Sequence, residues 1–177
     1  MAASRNVGST GGSRPSSRGK NGRFALWCFV GFVVLVVDQL TKLWAERTFE
    51  PGTYLPVFKG FNLLIAHNTG AAFSFLADAG GWQRWLFSGL AAAVIVAVVV
   101  LVRRHADKTL FSLALTLIAA GALGNLIDRS VHGYVIDFID LYWNEWHWPA
   151  FNVADIAICA GAAGVVLDEL RGVSKGR

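Results

Sequence analysis

The chain has 177 residues, of which 54% are apolar and 16% charged, and its mean hydropathy is +0.47. Soluble domains carry about 25% charged residues, so the composition excludes an ordinary water-soluble globule and makes lipid the main solvent. The net charge of +4 does not imply a nucleic-acid partner, because five basic residues (Arg5, Arg14, Arg18, Lys20 and Arg23) precede the first apolar run and no basic groove with interleaved aromatics follows.

Residues 1–23 are rich in Gly, Ser and Arg and are expected to form a disordered basic tail, since they cannot bury enough surface to offset their ordering entropy. The apolar run that follows continues without a small-residue cleavage site, which predicts an uncleaved first span rather than a removed signal peptide. Four stretches approach the ~20 residues needed to cross a bilayer as helix: Phe24–Trp44, Trp85–Val102, Leu110–Ile127 and Phe151–Leu167. Within lipid each backbone polar group must be paired in its own segment, so even the β-branched run Val94–Val102 is expected to be helical. The connection over residues 45–84, at about 40 residues, is too long for a linker. In it, Thr53–Ile65 alternates loosely between Pro and Gly and predicts short strands, while Trp82–Trp85 suits the membrane surface. The expected fold is an all-α membrane protein of four transmembrane helices, with a small β element in an outer loop region.

Lys and Arg in short flanks set orientation. The basic N-terminus, the connection Arg103 to Lys108, and the tail with Arg171, Lys175 and Arg177 fall on one side, which is expected to be cytoplasmic; residues 45–84 and 128–150 then face outward. Cys28 and Cys159 lie in apolar stretches at different inferred depths and read as small buried apolar residues rather than a disulfide. No Cys-x-x-Cys or His-Glu-x-x-His string occurs, so no metal or other cofactor is expected.

The few charged residues near the spans share one inferred depth. Asp38 and Lys42 lie four apart on one face of the first helix. Asn125, Asp128 and Arg129 end the third, Asn152 and Asp155 begin the fourth, and Asp137 sits in the connection between those two. Such a layer fits a shared site at the outer leaflet, and equally a structural cluster tying helices together. Intramembrane Asp and Lys would also suit a small transporter, although the two halves show no matching interrupted helices.

The strings that carry these residues are Asp38-Gln39-Leu40-Thr41-Lys42, Asn68-Thr69-Gly70-Ala71-Ala72-Phe73-Ser74, Gly121-Ala122-Leu123-Gly124-Asn125-Leu126-Ile127-Asp128-Arg129, Val135-Ile136-Asp137-Phe138 and Phe151-Asn152-Val153-Ala154-Asp155. In this order they resemble the lipoprotein signal peptidase (signal peptidase II) family. The resemblance implies an aspartic endopeptidase of the bacterial inner membrane, multi-pass with both termini cytoplasmic and its active site near the outer face. It implies a peptidase domain over residues 24–170 and a cytoplasmic tail over 171–177. The implied substrate is a diacylglyceryl-modified prolipoprotein held in membrane lipid and cut on the N-terminal side of the lipidated cysteine. The implied catalytic pair is Asp137 and Asp155.

Two carboxyls held close cannot both ionise easily; they share a proton and supply an acid and a base. Asp128 is a rival for the second role, but its neighbour Arg129 points to a structural ion pair. Asn125 and Asn152 suit orienting an aspartate or a peptide. Asp38 and Lys42 read as a structural pair, Asn68 and Gly70 as lining the substrate path, and Ala154 as part of the fourth-helix motif. Ser74 and Ser88 have no His or Lys at a suggestive spacing, which disfavours a serine mechanism.

Overall fold

The computed structural model describes residues 17–70 and 81–174. In chain order the elements are α1 (Ser17–Thr48), β1 (Leu55–Phe58), β2 (Phe61–Asn68), α2 (Trp82–Arg104), α3 (Thr109–Val131), β3 (Val135–Trp143), β4 (Trp146–His147) and α4 (Val153–Ser174). All four apolar stretches form helices; α1, α2 and α3 outrun theirs at both ends, whereas α4 starts two residues inside its stretch, at Val153, and runs on to Ser174. α1 begins at Ser17, inside the segment read from composition as disordered. Its first turns include Arg18, Lys20 and Arg23, which are good helix formers, and the Arg23 guanidinium donates to the Asp107 carbonyl at 3.1 Å.

Three helices, α1, α2 and α3, are long and apolar enough to cross a membrane. α4 matches them in length with 22 residues but carries Asp155, Asp168, Glu169 and Arg171. Large apolar side chains such as Phe29, Phe32, Leu90, Val96 and Val166 point outward from these helices, as expected where lipid is the solvent. Cys28 and Cys159 are free thiols on this outward surface, not buried as expected from the sequence; an apolar residue in a span gains as much by facing lipid as by facing protein.

The small β element expected beside the helices is present and is larger than the sequence indicates. A four-stranded antiparallel sheet in the order β1-β2-β3-β4 sits at one end of the helices. Its first two strands begin within the Thr53–Ile65 stretch, and β2 runs three residues past it to Asn68. β3 and β4 were not expected, and Asp137 lies on β3 rather than in an irregular connection. The cause is burial: Val135 to Phe138 are buried on both faces, so the sequence shows no apolar/polar alternation by which to recognise a strand. At the opposite end, Trp27 donates its indole N–H to the Ala106 carbonyl at 3.0 Å, tying the start of α1 to the α2–α3 turn.

α3 is the central helix and packs against α1, α2, α4 and β3. Small residues let it approach α4 closely: a Cβ on Gly121 would collide with the Ala154 carbonyl, and one on Gly161 would lie 2.5 Å from the Ala114 carbonyl. Without a strong hydrophobic drive between helices in lipid, such close packing is a main source of association. Gly89 on α2 has nothing within 4 Å of where its Cβ would be. Thus Gly121→Ala should destabilise by ~1–3 kcal/mol through overpacking, whereas Gly89→Ala should be neutral or stabilising by up to ~1 kcal/mol through helix propensity. Thermal unfolding in detergent reads the difference.

Candidate active site

The site begins with a buried ammonium. Lys42 lies one turn after Asp38 on α1 and is 1% exposed. An ammonium has three donors and no acceptor. Those of Lys42 reach Asp38 Oδ2 at 2.9 Å, Asp128 Oδ2 at 2.7 Å and Asn125 Oδ1 at 2.9 Å. All three are satisfied, which is the condition for burying such a charge at tolerable cost. Asp38 and Lys42 therefore do pair as the spacing predicts. Asp128 pairs with Lys42 rather than with its neighbour Arg129, because consecutive helical residues do not face each other.

Gln39, not singled out from the sequence, closes this cluster by donating to Asp128 Oδ1 at 2.9 Å and Asp38 Oδ2 at 3.2 Å. Its place beside Asp38 in the first motif was the available signal. Gly124 was also overlooked: a Cβ there would collide with Asp38 Oδ2, so only glycine lets α1 bring its carboxylate against α3.

The first turn of α4 follows from its own sequence. Asn152 Oδ1 accepts the Asp155 N–H at 3.0 Å, and Asp155 Oδ2 accepts the Asn152 N–H at 3.2 Å. This is a reciprocal capping box, with Asn and Asp in place of the usual Ser/Thr and Glu. Another N–H of the turn, that of Ala154, donates to Asp38 Oδ1 at 2.8 Å, so α1 supplies a carboxylate to the positive end of α4. Ala154 is fully buried, and its role is this backbone contact and its packing.

Asn125 connects the ammonium to Asp155. Because Lys42 can only donate, it fixes the carbonyl side of the Asn125 amide, and the Nδ2 side then donates to Asp155 Oδ1 at 2.8 Å. Asn152 makes the matching link to β3, donating from Nδ2 to Asp137 Oδ1 at 2.6 Å. The other oxygen of Asp137 accepts from Asn68 Nδ2 at 3.0 Å. That bond follows from sheet register: Ala66 on β2 stands opposite Asp137, so Asn68 is its diagonal neighbour on the same face.

Asp137 is 2% exposed. Burial and then the nearby Asp155 carboxylate push its pKa up to about 7, against the opposing pull of Asn68, Asn152 and Lys42. Its carboxyl thus keeps a proton well above the ordinary carboxylate range and loses it as pH rises through about 7.

Arg129 Nη2 donates to the Gly70 carbonyl at 3.1 Å, and the Gly70 N–H donates to Asn68 Oδ1 at 3.0 Å. Among the described residues the buried Nε of Arg129 has no partner. Asp38, Lys42, Asn68, Gly70, Asn125, Asp128, Arg129, Asp137, Asn152, Ala154 and Asp155 are thus joined through one connected set of contacts drawn from α1, β2, α3, β3 and α4. Ser74 lies outside the described residues. Such a network can hold the Asp137 and Asp155 carboxyls in a fixed relation, as general acid–base chemistry requires.

By its fold the chain resembles solved membrane enzymes. It is similar to a bacterial membrane enzyme solved by the in meso method at 2.3 Å, with a TM-score of 0.78 and 28% identity over 86% of this chain and 92% of that one. A second such structure, at 1.9 Å, gives 0.72 and 28% over 82% and 93%. The sequence comparison is more specific, and the chain belongs to the signal peptidase II family, whose model, described as Signal peptidase (SPase) II, matches residues 30–171. It is 49% identical over 173 residues to the lipoprotein signal peptidase of Ralstonia nicotianae, covering 98% of this chain and 99% of that protein. It is 53% identical over 150 residues to the one of Cupriavidus pinatubonensis, covering 85% of each. Membership makes it a membrane-spanning protease of lipoprotein processing.

Removing the ammonium leaves the Asp38 and Asp128 carboxylates buried without their cation, a loss typically of ~3–5 kcal/mol. Lys42→Met should therefore lower the unfolding temperature in detergent sharply and leave little correctly folded protein. An unchanged unfolding transition would show that the cluster carries no such weight.

Proposed function

We propose that this chain removes the signal peptide from diacylglyceryl-modified prolipoproteins by an aspartic mechanism, with Asp137 and Asp155 acting together on water. The observation that carries the proposal is Asn152, whose side chain donates to Asp137 while its backbone and side chain clasp Asp155. One residue thereby fixes the relation of the two carboxyls. Asp137, which keeps its proton to about pH 7, is the acid, and Asp155 is the base.

In this mechanism Asp155 takes a proton from water as the water oxygen attacks the scissile carbonyl carbon, and Asp137 gives its proton to the carbonyl oxygen. The tetrahedral intermediate then collapses with cleavage of the C–N bond. The leaving amine takes the proton held by Asp155, while Asp137 recovers one from the intermediate's hydroxyl. The dyad ends as it began. Arg129 and Asn68 border this centre and are suited to hold the peptide carbonyls on either side of the cut. Lys42, Asp38, Asp128, Asn125 and Gln39 position the pair without touching substrate.

The proposed setting is the bacterial inner membrane with four spans, α4 being the fourth. Asp155 enters it at the helix end and Asp168, Glu169 and Arg171 leave it at the other, so that only the interval between them lies in hydrocarbon. Arg23 and the Arg103–Lys108 turn meet at the end away from the sheet, which by the bias of basic residues is cytoplasmic. Both termini share that side, and the aspartates lie near the outer face. A diacylglyceryl-cysteine keeps its acyl chains in the bilayer and its thioether near the headgroups, presenting the bond before it at that depth.

Purified protein should cleave a diacylglyceryl-modified peptide just before the cysteine and leave the unlipidated peptide essentially uncut. Asp137→Asn and Asp155→Asn should each reduce kcat/KM by at least ~10³, since each removes one proton-transfer partner. Mass spectrometry of the products, with thermal unfolding to check folding, reads the result. Turnover near that of the wild type in either variant overturns the assignment of the pair.

A further inference from the structure

Away from the aspartates, a cavity of about 280 Å³ lies between α1 and α2 on the surface of α3. Along α1 its lining runs from Phe24 to Leu35, which at ~1.5 Å per residue is about 16 Å. That is roughly half of the ~30 Å hydrocarbon thickness, the depth of one leaflet. The slot opens to the surface through outward-facing residues that include Cys28, Phe32 and Val99.

Its walls offer little to a polar occupant. Apart from the weakly bonding Cys28 thiol, two of its lining residues carry hydrogen-bonding groups and both are already engaged: the Trp27 indole N–H donates to the Ala106 carbonyl, and the Thr116 hydroxyl donates to the Ser112 carbonyl at 2.7 Å. At one end the chemistry changes abruptly. The Arg103 guanidinium lies over the ring of Phe24, itself a wall residue, at 5.4 Å. Arg23, the next residue, is exposed and donates to the Asp107 carbonyl. Lys20, Arg104 and Lys108 lie in the same turns of chain, against the single carboxylate of Asp107.

We propose that this slot binds one anionic phospholipid, with an acyl chain lying between α1 and α2 and the phosphate at Arg23 and Arg103. A leaflet-long apolar groove with cations only at its interfacial end complements that molecule in length, polarity and charge. The substrate's signal peptide is the other long apolar occupant to consider, but its leading segment is positively charged and would meet these same cations. Placing the lipid in the cytoplasmic leaflet rests on the orientation proposed above, whereas the binding itself does not.

The test is native mass spectrometry of the full chain, stripped of lipid in detergent and titrated with phosphatidylglycerol or with phosphatidylcholine of the same acyl chains. The wild type should retain one phosphatidylglycerol about tenfold more tightly than phosphatidylcholine, because the phosphate of the latter is offset by its own choline cation and gains less from the two arginines. Cys28→Trp, which fills the slot from an outward-facing position, should lose retention of both lipids. The double variant Arg23→Gln/Arg103→Gln should lose the preference between them. Should Cys28→Trp fail a thermal-unfolding check, Val99→Phe fills the same slot from α2. Equal retention of the two lipids by the wild type, retention unchanged on filling the slot, or displacement of the lipid by a signal peptide would overturn the proposal. Cleavage of the lipidated peptide, measured on the same samples, separates these results from any failure of the proposed reaction.

Discussion

The site depends on one buried cation with three fixed acceptors. Lys42 has no water to turn to, so each of its protons must find an oxygen on the protein. Its partners come from its own helix (Asp38) and from α3 (Asn125 and Asp128). Meeting that demand sets how α1 lies on α3 and which way the Asn125 amide points. The amide orientation in turn presents an N–H to Asp155. A charge one amide removed from Asp155 thus governs the geometry of a group proposed to act on the scissile bond.

The second constraint is local to α4. Because Asn152 and Asp155 cap each other, the helix start and the position of the carboxylate are one structural fact. Phe151 adds to this by pairing its backbone with Ile139 on β3, so that Asn152 arrives beside Asp137 from a fixed direction. Asp38 completes the turn at Ala154. Glycine makes room at both closest approaches: Gly121 beneath Ala154 and Gly124 beneath Asp38. Packing of small residues and satisfaction of polar groups therefore converge on the same few positions, where either alone would leave the network loose.

Much of this was legible in the sequence. The helices announce themselves because lipid forces backbone pairing within a segment, and the polar layer is visible because charge in a span is rare enough to stand out. The pairing of Asp38 with Lys42 follows from their spacing on one turn. Other features have no one-dimensional signature. The first half of β3, Val135 to Phe138, is buried on both faces and so lacks alternation, and β4 is only two residues long. Asp128 choosing Lys42 over its neighbour depends on which helix faces which. Gly124 is one glycine among 19 until the Asp38 carboxylate is found against it. The start of α1 at Ser17 was masked by a composition that reads as disordered, since propensity alone gives no credit for the contact of Arg23 with the α2–α3 turn.

If the paired aspartates hold one proton up to about neutral pH, the protonation state of their carboxyls reports it. Protein labelled with carbon-13 at the aspartate side-chain carboxyl can be titrated by infrared difference spectroscopy, beside the Asp137→Asn variant. Because burial and Asp155 raise the Asp137 pKa to about 7, a protonated carboxyl should persist in the wild type through pH 6, disappear as pH rises through about 7, and be reduced at pH 6 in the variant. Loss of every protonated aspartate signal by about pH 5, close to the ordinary value of ~3.9 for aspartate, would contradict the account.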